Sequence, residues 1–166
     1  MKNAYFTTTS INTTHPITTG IDNELAFFMS RSLQIGVTSS SSRVTPLVFS
    51  DTDFYGETTL PEDPGDELFE YTYDDAVDTE LGALPLAAAV ENTEIGTRIV
   101  LIGDREFVTN GVGLKTAPDY SFDYVYPGNV QFILNAITWL LDTDSVEFSP
   151  ETPDFSATSS TAAASD

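Results

Sequence analysis

The chain has 166 residues, of which 26 are acidic and six are basic, so its formal net charge at pH 7 is −20. So acidic a surface repels phosphate backbones, which argues against a nucleic-acid partner. It is typical of high solubility, of a saline habitat or of diffuse cation binding. The absence of cysteine excludes disulfides, thiol nucleophiles and zinc sites built on sulfur.

The length suits one domain, and a hydrophobic content of 40% allows that domain to bury a core. No run of 18 apolar residues is present, so the sequence predicts no membrane-spanning helix. The sequence does not start with basic residues followed by an apolar stretch, so it predicts no signal peptide.

The first half of the chain predicts short strands joined by turns. Strands are expected at residues 4–8, within 25–37 and at 45–50, where β-branched and aromatic residues are frequent. For residues 25–37 a short helix is the alternative. A turn is expected at residues 15–21, because Pro fixes φ and Gly permits positive φ. Residues 51–82 hold many acids, two Pro and three Gly, which is typical of a long surface loop.

The second half predicts the centre of an α/β domain. Residues 84–90 favour a strand, and residues 98–104, with an unbroken apolar run at 99–102, predict a strand buried on both faces, as inside a parallel sheet. Residues 128–141 repeat apolar side chains at helical spacing, with Asn129 as the expected N-cap. We therefore predict one α/β domain over residues 1–142, followed by a disordered acidic tail or linker at residues 143–166.

Polar residues after the predicted interior strand are candidates for a ligand site. Asp104 is the best placed, because ligands of open α/β sheets bind outside the carboxyl ends of the strands. Asn110 and Asn129 are expected to line the same rim. The competing interpretation is that Asp104 caps the next turn or pairs with an arginine, and that Asn129 only caps the helix.

His15 is the only histidine, which excludes a metal site built on two histidines. The simplest interpretation of His15 is a structural residue of the predicted turn, and the alternative is a ligand-binding residue together with Asp104, Asn110 and Asn129. A role in hydrolysis would require His15 to meet Asp104 in one cleft, and no Gly-x-Ser-x-Gly elbow is present.

An acidic stretch resembles half of a calcium loop. Asp51, Asp53 and Glu57 have suitable spacing, but Tyr55 occupies a position that needs an oxygen ligand. A solvated acidic loop is favoured over loose calcium binding. We expect no cofactor.

Several short motifs occur together in a recognisable order. They are residues 15–18, 20–21, 46–47, 85–91, 96–104, 107–110, 128–129, 132, 134–136 and 139–140. In order and spacing they resemble the accessory domain of gliding-motility-type ABC transporters, which is similar to a domain of an intraflagellar-transport subunit. The resemblance covers roughly residues 14 to 141.

The resemblance implies a mostly parallel α/β sheet, similar to class I glutamine amidotransferases with their flavodoxin-like layers. It does not imply their reaction, which needs a cysteine. Because a single helix is predicted, the chain is expected to be the C-terminal portion of a larger domain or to need a partner over its sheet. The resemblance also implies an extracytoplasmic, membrane-associated parent protein, attached through helices outside this sequence, although a cytoplasmic location stays open.

Three functions follow as hypotheses. The first is a non-catalytic binding or scaffold domain, with an ABC permease or ATPase subunit, the rest of its own domain, or a carbohydrate as partner. The second is a hydrolase on the amidotransferase-like scaffold, using Asp104 and His15. The third is a protein–protein interaction module whose open sheet face or edge meets a partner.

Overall fold

The computed structural model describes residues 5–36, 39–59, 72–79, 81–114 and 126–142. Within these ranges the chain forms five strands and one helix. In chain order they are β1 (Tyr5–Thr8), β2 (Leu25–Phe28), β3 (Ser42–Phe49), β4 (Pro85–Asn92), β5 (Thr97–Ile102) and α1 (Pro127–Leu141). The one helix in these ranges lacks the length and apolar character needed to cross a bilayer.

The strands form two small antiparallel sheets. β1 pairs with β2, with Tyr5 opposite Phe28. The second sheet has the order β3-β4-β5, and both of its pairings are antiparallel. The predicted mostly parallel, flavodoxin-like sheet is therefore wrong for the part of the chain that the structure describes.

The connection between β4 and β5 gives the physical reason. Residues 93–96 are too few for a parallel crossover, which needs a dozen residues or more. The side chain of Asn92 accepts hydrogen bonds from the backbone N–H groups of Glu94 and Ile95, at 3.0 and 3.1 Å. Gly96 then takes a φ of 67°, which closes the hairpin. Residue types that favour turns thus force the two strands to run in opposite directions.

β5 is a strand, as predicted, but its predicted interior position is wrong. Among the described residues it pairs with β4 alone, so it lies at the edge of its sheet. Its side chains alternate in exposure along the strand: Ile99 is 46% and Leu101 is 47% exposed, while their neighbours turn inward. The continuous apolar run therefore has one partly buried face that packs against the core and one exposed face.

The core lies between the two sheets and α1, which packs against β2 and β5. Phe107 stands between Phe27 and Phe132, with ring centroids 5.0 and 5.5 Å away. At Gly128, α1 lies close to the residue before β2, because an added Cβ would clash with the carbonyl oxygen of Glu24. The other large buried apolar side chains of this core are Ile17, Leu25, Leu47 and Val48.

The remaining predicted boundaries fit in part. The strand predicted within residues 25–37 is limited to Leu25–Phe28, and the predicted strand at 84–90 extends to Asn92. The described parts of the 51–82 loop, residues 51–59, 72–79 and 81–82, contain no strand or helix. The tail predicted at residues 143–166 lies outside the described residues.

Candidate binding cleft

A cleft of about 530 Å³ opens where the turn after β1, the inner face of β3 and β4, and the last turn of α1 meet. Arg43 is paired with Glu91 in the β3–β4 register, and Thr45 is paired with Ala89. Because side chains alternate along a strand, these four residues share one face of the sheet. We call this site the Trp139 cleft. It is lined by Asn12, Thr14, His15, Pro16, Arg43, Thr45, Ala89, Glu91 and Trp139.

The turn that carries His15 is fixed to β3 by hydrogen bonds. The Asn12 side chain donates to the carbonyl of Pro46 at 3.1 Å, and the Asn12 N–H donates to the carbonyl of Leu47 at 2.8 Å. The Ile17 N–H donates to Nδ1 of His15 at 3.2 Å. The imidazole is thereby held in place at the wall of the cleft.

Trp139 forms the opposite wall, and its ring contacts two side chains, those of His15 and Arg98. His15 stands edge-on to its ring, with centroids 5.3 Å apart. The guanidinium of Arg98 lies over the indole, 5.2 Å from the ring centroid. Arg98 also donates to the carbonyl of Trp139 at 2.9 Å. The indole is therefore oriented by its neighbours before any ligand arrives.

Arg98 is engaged by two carboxylates as well. It forms ion pairs with Asp142 at 2.6 Å and with Glu91 at 3.1 Å. The hydrogen bonds that Arg98 donates raise its pKa; the bond to Asp142 has the larger effect and the bond to Glu91 the smaller. Glu91, the acidic residue in the lining, is thus partnered by a cation.

The surroundings of His15 favour its neutral form. Burial lowers its pKa below the ordinary value of 6.5; nearby Glu91 opposes this effect and nearby Arg43 adds to it. Since Nδ1 accepts the Ile17 N–H, the proton of the neutral ring resides on Nε2. The cleft therefore faces an imidazole that can donate a hydrogen bond at neutral pH.

Several donors in the lining have no hydrogen-bond partner within the described ranges. These are the Arg43 guanidinium, the Nε2–H of His15, the indole N–H of Trp139 and the Thr45 hydroxyl. Asn12 and Thr14, by contrast, bond to each other and to the backbone. The cleft thus offers more free donors than free acceptors.

Asp104, the leading candidate from the sequence, does not line this cleft. It is 5% exposed, and its two carboxylate oxygens accept backbone N–H groups. Oδ2 accepts from Phe28 at 2.6 Å, and Oδ1 accepts from Glu106 at 2.7 Å. This geometry is that of a side chain that caps a turn and ties it to β2.

Asn129 is buried inside the fold. Its Oδ1 accepts the Ala26 N–H at 2.8 Å, and its Nδ2 donates to the carbonyls of Ala26 at 2.9 Å and Gly113 at 3.1 Å. The N-cap position belongs to Tyr126, which has no capping side-chain bond, so the predicted capping role of Asn129 is wrong. Asn129 instead joins α1 to β2 and to the loop after β5.

Asn110 is exposed and forms an isolated bridge with Leu114 in that same loop. Of the four predicted ligand residues, His15 alone lines the cleft. Asp104 and Asn110 lie within residues 104–114, and Asn129 contacts that segment through the carbonyl of Gly113. Sequence reasoning missed Arg43, Glu91 and Trp139. An available signal was the pair of opposite charges, Arg43 and Glu91, in two strands whose other residues are mostly apolar or small.

The acidic loop has an internal hydrogen-bond network. Asp51 and Asp53 are exposed, and Glu57 accepts the Thr59 N–H at 2.8 Å. In the ranges the structure describes, no three histidine or carboxylate side chains are placed to hold a metal ion together. The predicted weak calcium site at these residues gains no support from the geometry.

Comparison of the chain with models of known protein families, with curated proteins and with solved structures finds no match in any of the three.

Proposed function

We propose that this domain is a non-catalytic binding module and that the Trp139 cleft is its ligand site. The observation that carries the proposal is the position of the chain's single tryptophan, fixed by Arg98 at a cleft with unbonded donors. The volume of the Trp139 cleft, about 530 Å³, falls within the range of small-molecule pockets. An oriented aromatic wall with a few polar groups is the usual composition of such pockets.

A carbohydrate is the ligand class that we propose. An indole combines a flat apolar surface with a polar N–H, which suits a sugar ring with its apolar C–H groups and its hydroxyls. The lining adds donors from Arg43 and His15 and an acceptor from Glu91. A ligand of one or two sugar rings fits a cleft of this size.

The hydrolase hypothesis has less support. It needs His15 and Asp104 in one cleft, yet Asp104 is not among the lining residues and its oxygens already accept two backbone N–H groups. A carboxylate held in this way is poorly placed to take part in proton transfer with His15. Binding without turnover is therefore the function we favour.

The experiment is a fluorescence titration of Trp139 with a panel of neutral and acidic monosaccharides and disaccharides. Because the chain has one tryptophan, any change in emission reports on this cleft. We expect saturable binding with a dissociation constant of about 1 mM or tighter for at least one sugar, and no change in the sugar by NMR. An unchanged emission across the panel would contradict the proposal.

The wider setting rests on the order of the sequence motifs alone. We infer from it an accessory protein of an ABC transporter outside the cytoplasm. Co-purification of the tagged full-length protein with an ABC permease or ATPase from its native membrane supports that setting, and its purification without either one contradicts it. The interaction-module hypothesis stays a prediction, which light scattering of the purified chain tests.

A further inference from the structure

We propose that the Trp139 cleft prefers a ligand with one carboxylate, so that an acidic sugar binds more tightly than its neutral counterpart. This inference rests on the proposed function and adds a rule of selection to it. It comes from the charges and the unbonded donors of the lining rather than from the motifs of the sequence.

The charge distribution makes this cleft unusual for such an acidic chain. The sequence has only six basic residues against 26 acidic ones. One of the six, Arg43, lines the cleft, and a second, Arg98, stands beside it. Glu91 is the acidic residue of the lining, and it is paired with Arg98. An anion in the cleft therefore avoids the repulsion that it meets over most of the surface.

Arg43 is the group available to receive the anion. Its side chain is exposed and forms no ion pair within the described ranges. A guanidinium presents parallel N–H groups that match the two oxygens of a carboxylate. In contrast, Arg98 is already bound to Glu91, to Asp142 and to the carbonyl of Trp139.

The other free groups also donate. Nε2 of His15 and the indole nitrogen of Trp139 carry hydrogens that have no partner in the described residues. An anionic acceptor satisfies such donors better than a hydroxyl does, because charge-assisted hydrogen bonds are the stronger ones. The lining has one free guanidinium, that of Arg43, which can offset one negative charge, and the carboxylate of Glu91 repels a second one. We therefore expect a monoanion to bind better than a doubly charged phosphate ester.

The test titrates Trp139 fluorescence with glucuronate, glucose and sulfate at constant ionic strength. We expect glucuronate to bind at least about tenfold more tightly than glucose, in line with one added charge-assisted contact. Arg43→Gln should reduce glucuronate binding to the level of glucose. Arg31→Gln is the matched control, because Arg31 is exposed, lies outside the lining and has the same charge.

The outcomes separate the inference from the proposed function. Equal affinities for glucose and glucuronate would overturn the carboxylate preference and leave the binding function intact. No response to either sugar would overturn both. Sulfate binding as tight as that of glucuronate would also overturn the preference, because it would show attraction of any anion. Should Arg43→Gln fail to fold, Arg43→Lys keeps the positive charge but lacks the parallel N–H groups of the guanidinium. Unchanged selectivity in that variant would contradict bidentate recognition.

Discussion

Asn129 illustrates how one buried amide joins distant parts of this chain. It makes three hydrogen bonds with backbone groups of Ala26 and Gly113 while fully buried. Asn129→Ala leaves those groups without partners in a site that water does not reach. We expect a loss of about 2–4 kcal/mol in the free energy of unfolding, since each unsatisfied buried group costs about 1–3 kcal/mol.

Urea denaturation followed by circular dichroism measures this change. Asn135→Ala is the control, because Asn135 is only partly buried and its hydrogen bond to the carbonyl of Ile17 is partly buried as well. We expect that variant to lose about 1 kcal/mol or less. Equal losses in the two variants would contradict the special position of Asn129.

The ionisation of His15 is the second feature at this scale. Burial lowers its pKa, so the unfolded chain binds a proton more readily than the folded chain. The contribution of His15 to stability is therefore complete above the ordinary pKa of 6.5 and is lost as the pH falls from there through the folded pKa. NMR of the single imidazole should show a midpoint below 6.5.

The stability comparison uses His15→Asn, whose side-chain oxygen can still accept the Ile17 N–H. Between about pH 7.5 and about pH 5.5, the wild type should lose more stability than this variant, because only the wild type gains a charge on a partly buried side chain. An imidazole midpoint at or above 6.5, or identical losses in both proteins, would show that the ring is not held neutral.

Among the elements, β5 departs most from what the sequence indicates. Because β5 is an edge strand among the described residues, truncating an outward side chain should lower the free energy of unfolding only slightly. Leu101→Ala should reduce the free energy of unfolding by about 1 kcal/mol, because the side chain is half exposed. Leu47→Ala, at a fully buried position of β3, should cost about 3–5 kcal/mol. Thermal and urea unfolding measure both variants. Equal losses in free energy of unfolding would instead place β5 in the interior.

The elements themselves could be predicted better than their arrangement. Strands at residues 84–90 and 98–104 and the helix near 128–141 follow from local composition and spacing. Their direction does not, unless the loop is considered: four residues that include Gly96 can connect only antiparallel neighbours. The apolar run of β5 was ambiguous, since composition does not reveal which face has a covering layer.

The cleft could not be assembled from sequence patterns, because its walls come from three separate regions. His15 precedes β2, Arg43 and Glu91 lie on paired strands, and Trp139 lies in the last turn of the helix. Only the β3–β4 register and the docking of α1 bring them together. Asp104 looked functional because of its place after a strand, and that same place lets it hold the turn.

At the scale of the whole molecule, the net charge of −20 should govern stability in salt. Self-repulsion opposes the compact state, and raising salt from about 0.1 to about 1 M shortens the screening length from about 10 to about 3 Å. We expect the melting temperature to rise by about 5 °C or more over this range. Circular dichroism in sodium chloride and in choline chloride measures it.

The two salts distinguish general screening from binding of a specific cation. Similar rises in both indicate screening of the acidic surface. A rise in sodium chloride alone would indicate cation binding, and a melting temperature that does not change would contradict a role for self-repulsion in the stability of this domain.

The account depends most directly on the contact between His15 and Trp139, which closes the cleft across 124 positions of sequence (139 − 15) and joins the β1–β2 turn to the end of α1. Nuclear Overhauser effects between the single imidazole and the single indole of the full chain test it. We predict clear cross-peaks, together with imidazole shifts that move to ordinary values in Trp139→Leu. Absent cross-peaks and an imidazole with the shifts of an unstructured peptide would contradict the cleft and the function proposed for it.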